Sequence, residues 1–310
     1  MDNLPVIAIR FVLYADLMVL AGMSAFSFYA LTSQERDADE LPLTKLAIAL
    51  SSIGFLLSGL GMIALAASMT GASIWAVDRD VLREVIAETA IGSAWIVRMV
   101  ALTIAVLSAF ALKPRRSIAR IGLLASTALA ITTLVWTGHA GATEGSMGTI
   151  HRLSDMVHML AAAVWLGGIA AFSLLLFRPL SHQTAARLAM THRALEQFAR
   201  VGTLALALIV ITGVINCFAV VGFPHFTRLP LTPYGQLLLA KLGLFGAMLL
   251  LAASNRWRLT PALGAVVADT DPARALRDLR ISLTLEAGAA AGILALVAWL
   301  GTLEPLGGTA

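Results

Sequence analysis

The sequence is short of charge. Asp, Glu, Lys and Arg make up 13% of its 310 residues, about half the roughly 25% of an ordinary soluble domain. A water-soluble protein of this length cannot cover its surface with so few charges, whereas one whose flank faces lipid can. There is one cysteine, Cys217, which excludes an intramolecular disulfide and any CxxC metal or redox motif. The basic residues sit in short loops with no basic stripe interleaved with aromatics, so nucleic-acid binding has no support. No Walker A run occurs, so direct ATP use is not expected. No constellation reads as catalytic, so no enzymatic activity is expected. The opening Met1-Asp2-Asn3 carries no basic n-region, and the first apolar stretch has no clear A-x-A site. That stretch is expected to be a retained helix, not a signal peptide.

What the sequence has is apolar length. Hydrophobic residues make up 59% of it, and the mean hydropathy is +0.86. A helix needs about 20 apolar residues to cross the hydrocarbon core. Eight segments meet that requirement, at roughly 5–31, 43–69, 91–112, 118–138, 151–177, 198–221, 234–256 and 279–301. A transmembrane barrel would show alternating segments of about ten residues instead. The expected fold is all-α: a polytopic membrane protein, one bundle of about eight transmembrane helices spanning 1–310, in contact with the lipid bilayer. Two amphipathic stretches, at roughly 74–89 and 185–200, are expected to lie at the interface as short helices.

Lys and Arg placement sets the orientation. Of the 22 basic residues, roughly two thirds fall in alternate loops on one side, including Arg36, Lys113, Arg115, Arg116, Arg178 and Arg280. That side is expected to be cytoplasmic. Both termini then face outward, into the periplasm of a Gram-negative host.

On this topology most histidines lie outside. His139 ends the fourth span, His151 opens the fifth, His158 lies about 10 Å deeper, and His225 sits in an outer loop; His182 and His192 fall on the inner side. His151, Asp155 and His158 share one helical face, which Trp165 continues. Asp155 can accept a hydrogen bond from either imidazole and fix its tautomer. His139, across a short loop, is the candidate to share a site with His151. For any one histidine the plain alternative is a helix-end residue satisfied by water or backbone. Met69 and Met147 add outer thioethers suited to Cu(I), though any one Met is more often core filler. Cys217 is a further soft donor or a small core residue. Asp16, Arg98, Lys241, Glu286 and Asn216 lie inside spans, where ionisable groups are costly and suggest function. Asp16 is expected to pair with Arg98 or Lys241, unless those two snorkel to the outer interface; Asp16 and Glu286 either mark a cation or proton path or clamp helices together. Asn216 also suits interhelical hydrogen bonding.

These residues resemble the CopD/PcoD family of copper resistance membrane proteins. The resemblance rests on Thr137-Gly138-His139-Ala140, on the run 151–168 from His151 to Gly168, and on Thr212-Gly213-Val214-Ile215-Asn216. It continues through 232–241, 255–261, Met69-Thr70-Gly71 and 89–98, so it covers nearly the whole chain with its motifs in order. It implies an inner-membrane protein that handles copper ions, moving them from periplasm to cytoplasm beside a periplasmic CopC-type copper-binding protein. No CopC-like segment is fused here, so that partner is expected to be separate. The family's histidines map onto His139, His151 and His158. Two other readings stand beside transport: a redox protein whose histidines ligate haem b, and a copper sensor or assembly factor. The oligomeric state is not readable.

Overall fold

In a computed structural model, residues 4–38, 40–112, 117–179, 184–263 and 272–305 are described. Lys113, Arg115, Arg116 and His182 lie outside them. Among the described residues there is no strand, and eight helices are long and apolar enough to cross a membrane. The protein is an all-α, multi-pass membrane protein.

The helices are α1 (Leu4–Tyr29), α2 (Ser33–Asp37), α3 (Leu43–Thr70), α4 (Arg79–Glu88), α5 (Ala90–Phe110), α6 (Ser117–Thr132), α7 (His139–Ala142), α8 (Gly145–Leu176), α9 (Ala185–Val221), α10 (Pro233–Ser254) and α11 (Pro272–Leu300). A 3₁₀ turn extends α6 to Thr137, and a π turn, Asn255–Leu259, extends α10. Hydroxyl and carboxylate caps set several starts. Asp78 accepts from Asp80 N for α4, Thr89 from Gly92 N for α5, and Thr232 from Gly235 N for α10, with Pro233 at its first turn. Each side chain satisfies an amide that has no partner within its helix.

The expected interfacial helix at 74–89 exists as α4. The one expected at 185–200 does not stand alone. No Gly or Pro interrupts 185–201, so that stretch runs unbroken into the span and α9 is one helix of 37 residues.

The bundle is built around α1 and α8. They cross backbone to backbone: a Cβ on Gly22 would fall 1.9 Å from the Ala163 carbonyl oxygen, and one on Gly167 would fall 2.1 Å from the Gly22 carbonyl carbon. Small residues permit this approach, and close packing is what holds helices together in lipid. On one flank α3, α5 and α6 pack around Leu17, Leu102, Leu123 and Ile131. On the other, α9 and α11 cover α8, and α10 packs on α11. Helix direction alternates, so both described ends lie at one end of the bundle, where Arg10 donates to the carbonyls of Gly301 (2.8 Å) and Thr137 (2.7 Å).

The opposite end is tied by ion pairs. Glu40 meets Arg178 (3.1 Å) and Arg187 (3.2 Å), Asp37 meets Arg120 (2.9 Å), and Glu35 pairs with Arg193. Arg280 donates to the Leu176 and Arg178 carbonyls, both at 2.8 Å. The segment joining α1 to α3 is thereby clasped to α6, α8 and α9.

Candidate functional site

A cavity of about 430 Å³ opens into the end of the bundle that carries both described termini. Its walls come from Arg10 to Met18 of α1, from Leu134 to Ala140 through the turn before α7, from His151 to Leu166 of α8, and from the facing parts of α9, α10 and α11. His139, His151 and His158 all line it, together with Asp155, Asn216, Cys217 and Lys241.

The hydrogen-bond partners match one tautomer of each ring. A carbonyl oxygen only accepts, so His139 donates through Nε2 to Leu300 O (3.2 Å). The Thr143 hydroxyl donates to the His139 carbonyl (3.0 Å). Its one proton is thus committed, and its oxygen accepts from His151 Nδ1 (2.9 Å). The Thr212 hydroxyl is likewise committed to the Leu208 carbonyl, and it accepts from His158 Nδ1 at 3.0 Å. Each ring therefore keeps one nitrogen with a free lone pair: Nδ1 on His139, and Nε2 on His151 and His158. Burial pushes His139 below the ordinary imidazole range; the Leu300 carbonyl works the other way, and Arg10 adds to the lowering. His139 is neutral at pH 7 and its lone pair is available. Its ring also stands edge-on to Tyr234, with centroids 5.8 Å apart.

Asp155 does not bond either imidazole, contrary to the sequence expectation. α8 points His151 at the α7 hairpin and His158 at α9, where threonine hydroxyls take the ring N–H groups. Asp155 instead accepts from Asn216 Nδ2 at 3.1 Å. Among the described residues, no three His, Cys, Asp or Glu side chains form a ready metal cluster. The donors are spread along a wall, with His151 and His158 about 10 Å apart along the α8 axis.

Several expected participants lie elsewhere. Met69 and Met147 are 63% and 57% exposed and do not line the cavity. The cavity's thioethers are Met18, Met159 and Met248, which the sequence did not single out because Met reads as core filler. Asp16 is 6% exposed, and neither of its carboxylate oxygens has a hydrogen-bond partner. It rests on α3 at Gly54, with Leu17 and Leu102 at the same place. The expected ion pair with Arg98 or Lys241 does not form among the described residues. Arg98 is buried and reaches the Thr133 hydroxyl at 3.5 Å, while Lys241 faces the cavity from α10. Glu286 lies in the other half of the bundle, where it accepts a hydrogen bond from Asn255.

From Trp165 in the cavity wall a row of rings in edge contact runs toward the other half of the bundle. Trp165 meets Phe198 (6.1 Å), Phe198 meets Phe172 (5.5 Å), and Phe172 meets Phe26 (5.2 Å). Gly168 makes room for Phe198, whose ring would lie 2.3 Å from a Cβ there.

Fold and site together define a polytopic helical membrane protein with a histidine-walled cavity in the half of the bundle that carries both described termini. Comparison with known sequences gives the family. Residues 1–149 match the family described as copper resistance protein D-like, N-terminal domain, and residues 192–300 match copper resistance protein D. The chain is 41% identical over 302 residues to "Copper resistance protein D" of Pseudomonas syringae pv. tomato, covering 96% of each. It is 28% identical over 304 residues to "Inner membrane protein YebZ" of Escherichia coli K12, covering 96% of this chain and 98% of that one. It is 30% identical over 176 residues to "Copper transport protein CutJ" of Bacillus subtilis 168, covering 56% of this chain and 31% of that one. No solved structure matches. The chain belongs to the copper resistance protein D family and is a copper-related multi-pass membrane protein.

Proposed function

We propose that the protein moves copper ions from periplasm to cytoplasm across the bacterial inner membrane, without enzymatic chemistry, receiving them from a periplasmic CopC-type copper-binding protein. The observation that carries this reading is the set of three histidines on one cavity, each with one nitrogen committed and one lone pair left. A neutral imidazole with its other nitrogen donating is the form that ligates a metal, and the group accepting that proton orients the ring. Copper is the cargo. It is captured by His139 and His151 near the mouth and passed inward to His158, with thioethers of Met18, Met159 and Met248 along the same wall. Imidazole and thioether are donors that suit copper.

The names of relatives support the reading. One is a copper resistance protein, one a copper transport protein, and one an inner membrane protein. Basic residues gather at the end opposite the cavity, which supports a cytoplasmic assignment for that end and periplasmic termini. Movement beyond His158 requires the Trp165–Phe198–Phe172–Phe26 row and the arginine clasp behind it to part, so the chain works as one bundle that alternates between closed ends.

The test is elemental analysis with a visible spectrum on protein purified in detergent from copper-fed cells. The expected result is about one or two copper ions per chain and no Soret band. An intense Soret band with iron would instead make the histidines haem ligands and overturn the transport reading.

A further inference from the structure

The flank built from α1, α3, α5 and α6 holds a set of buried polar groups apart from the histidine cavity. Asp16 stands near the middle of α1. Tyr14 and Met18, two residues to either side, line the cavity, so Asp16 points away from it. Its carboxylate lies against α3. Oδ2 is 2.7 Å from the point where a Cβ on Gly54 would stand, and Ile9, seven residues earlier, is 3.6 Å from the corresponding point on Gly61. Helices α1 and α3 therefore run antiparallel in one register, with Ser51, Gly54, Ser58 and Gly61 along the α3 side of the seam. Residues three or four apart on a helix have Cβ atoms about 5–6 Å apart. Ser51 and Ser58 thus flank the Asp16 carboxylate, one a turn to each side, and both are fully buried.

Four buried oxygens here have no hydrogen-bond partner among the described residues: both of Asp16 and the hydroxyls of Ser51 and Ser58. The other serines of α1 and α3 behave differently. Ser24, Ser27, Ser52 and Ser68 each donate to a carbonyl of their own helix, the ordinary bond of a helical hydroxyl. The Ser58 carbonyl is held by Trp95 Nε1 at 2.9 Å, yet the Ser58 hydroxyl stays unbonded. Arg98, the buried cation of this flank, is turned to Thr133. A buried carboxylate is paired or coordinates a cation, and no side chain among the described residues pairs with this one.

We propose that Asp16, Ser51 and Ser58 form a binding site for an alkali metal cation. Oxygen donors suit hard ions, and these three side chains offer no nitrogen or sulfur to hold copper. One carboxylate balances one positive charge. A monovalent ion leaves the seam neutral within the membrane, whereas a dication leaves a net charge there, which is costly. The two hydroxyls supply lone pairs from either side, and Gly54 leaves room for the carboxylate between them. The site is independent of the copper reading.

The experiment measures equilibrium binding of radioactive sodium to the full chain in detergent, with copper absent and choline chloride holding the ionic strength constant. A parallel set uses radioactive rubidium in place of potassium. Saturable binding of a single ion per chain is expected in one of the two sets, which identifies the ion. Asp16→Asn, which keeps the shape and removes the charge, is expected to abolish it. Ser51→Ala and Ser58→Ala are each expected to weaken it about tenfold. Wild type that binds neither ion overturns the proposal, and so does an Asp16→Asn variant that binds as wild type does. If Asp16→Asn does not fold, unchanged affinity in both serine variants overturns it. Copper enters none of these measurements, so their failure leaves copper transport standing.

Discussion

Thr212→Val is the sharpest probe of the histidine wall. Val keeps the branched shape and removes the hydroxyl. In the native protein that hydroxyl accepts from His158 Nδ1 at 3.0 Å while donating to the Leu208 carbonyl. The Thr212 backbone carbonyl, which receives Ser154 Oγ at 3.2 Å, is unaffected. The variant therefore takes from the His158 ring the hydroxyl that holds Nδ1–H at 3.0 Å, leaving the Ile209 backbone carbonyl as the acceptor nearby. Leaving a buried donor unsatisfied costs about 1–3 kcal/mol, and the ring escapes that cost by turning or by moving its proton to Nε2. Either response removes the lone pair from the cavity. Losing the group that orients a metal-ligating histidine typically lowers metal affinity about 10–100-fold, which is about 1.4–2.8 kcal/mol. The assay is Cu(I) competition on purified variants, together with nitrogen NMR of the imidazole to read the tautomer. Thr212→Ser should restore both affinity and the Nδ1–H tautomer. If Thr212→Val keeps wild-type affinity and the same tautomer, the hydroxyl does not position His158 and the reasoning fails.

Other consequences follow from particular contacts. His151→Ala and His158→Ala should each lower copper occupancy, whereas Met69→Leu and Met147→Leu should leave it unchanged; elemental analysis of the four variants decides, and lost occupancy in Met69→Leu would contradict the placement of the site. Gly167→Val should destabilise the bundle by more than the roughly 1–3 kcal/mol of ordinary overpacking, because its Cβ would sit 2.1 Å from the Gly22 backbone; a wild-type aggregation temperature in detergent would refute the close crossing. Burial alone would raise the Glu35 pKa, but hydrogen bonds from Arg193 and Thr32 outweigh it and hold the carboxyl below the ordinary Glu range. A lowered folded value means the stabilisation is present above the unfolded value and is lost as pH falls through the folded one. Between neutral pH and about pH 3.5, wild type should therefore lose more thermal stability than Glu35→Gln, and parallel losses would show that the Glu35–Arg193 pair contributes nothing.

The spans were legible because each is a long apolar run bounded by charge, which is the physical condition for crossing lipid. Their ends were less so. α8 begins at Gly145 and not near 151, since a helix continues past the apolar boundary wherever no residue stops it. α9 absorbs 185–200 for the same reason. The histidines stood out as polar groups in apolar surroundings, and alignment along one helix face placed His151, Asp155 and His158 together. What could not be read was azimuth. Position along a helix gives the depth of Asp16, Arg98 and Lys241 but not which neighbour each one faces. Asp16 turns to α3, Arg98 reaches Thr133, and Lys241 turns to the cavity. Thr143 and Thr212 were missed as orienting groups because a threonine within or just after a helix usually bonds the backbone of the preceding turn, and both do so here beside a ring. A signal existed for Thr143, which lies four residues after His139 and eight before His151.

The most direct test of the central claim is copper uptake into liposomes containing the purified protein, with Cu(I) supplied outside and a fluorescent copper indicator inside. The account predicts uptake by wild type that is abolished in the His151→Ala/His158→Ala double variant, with protein orientation and folding matched. Equal uptake by the two, or none above empty liposomes in either, would contradict it.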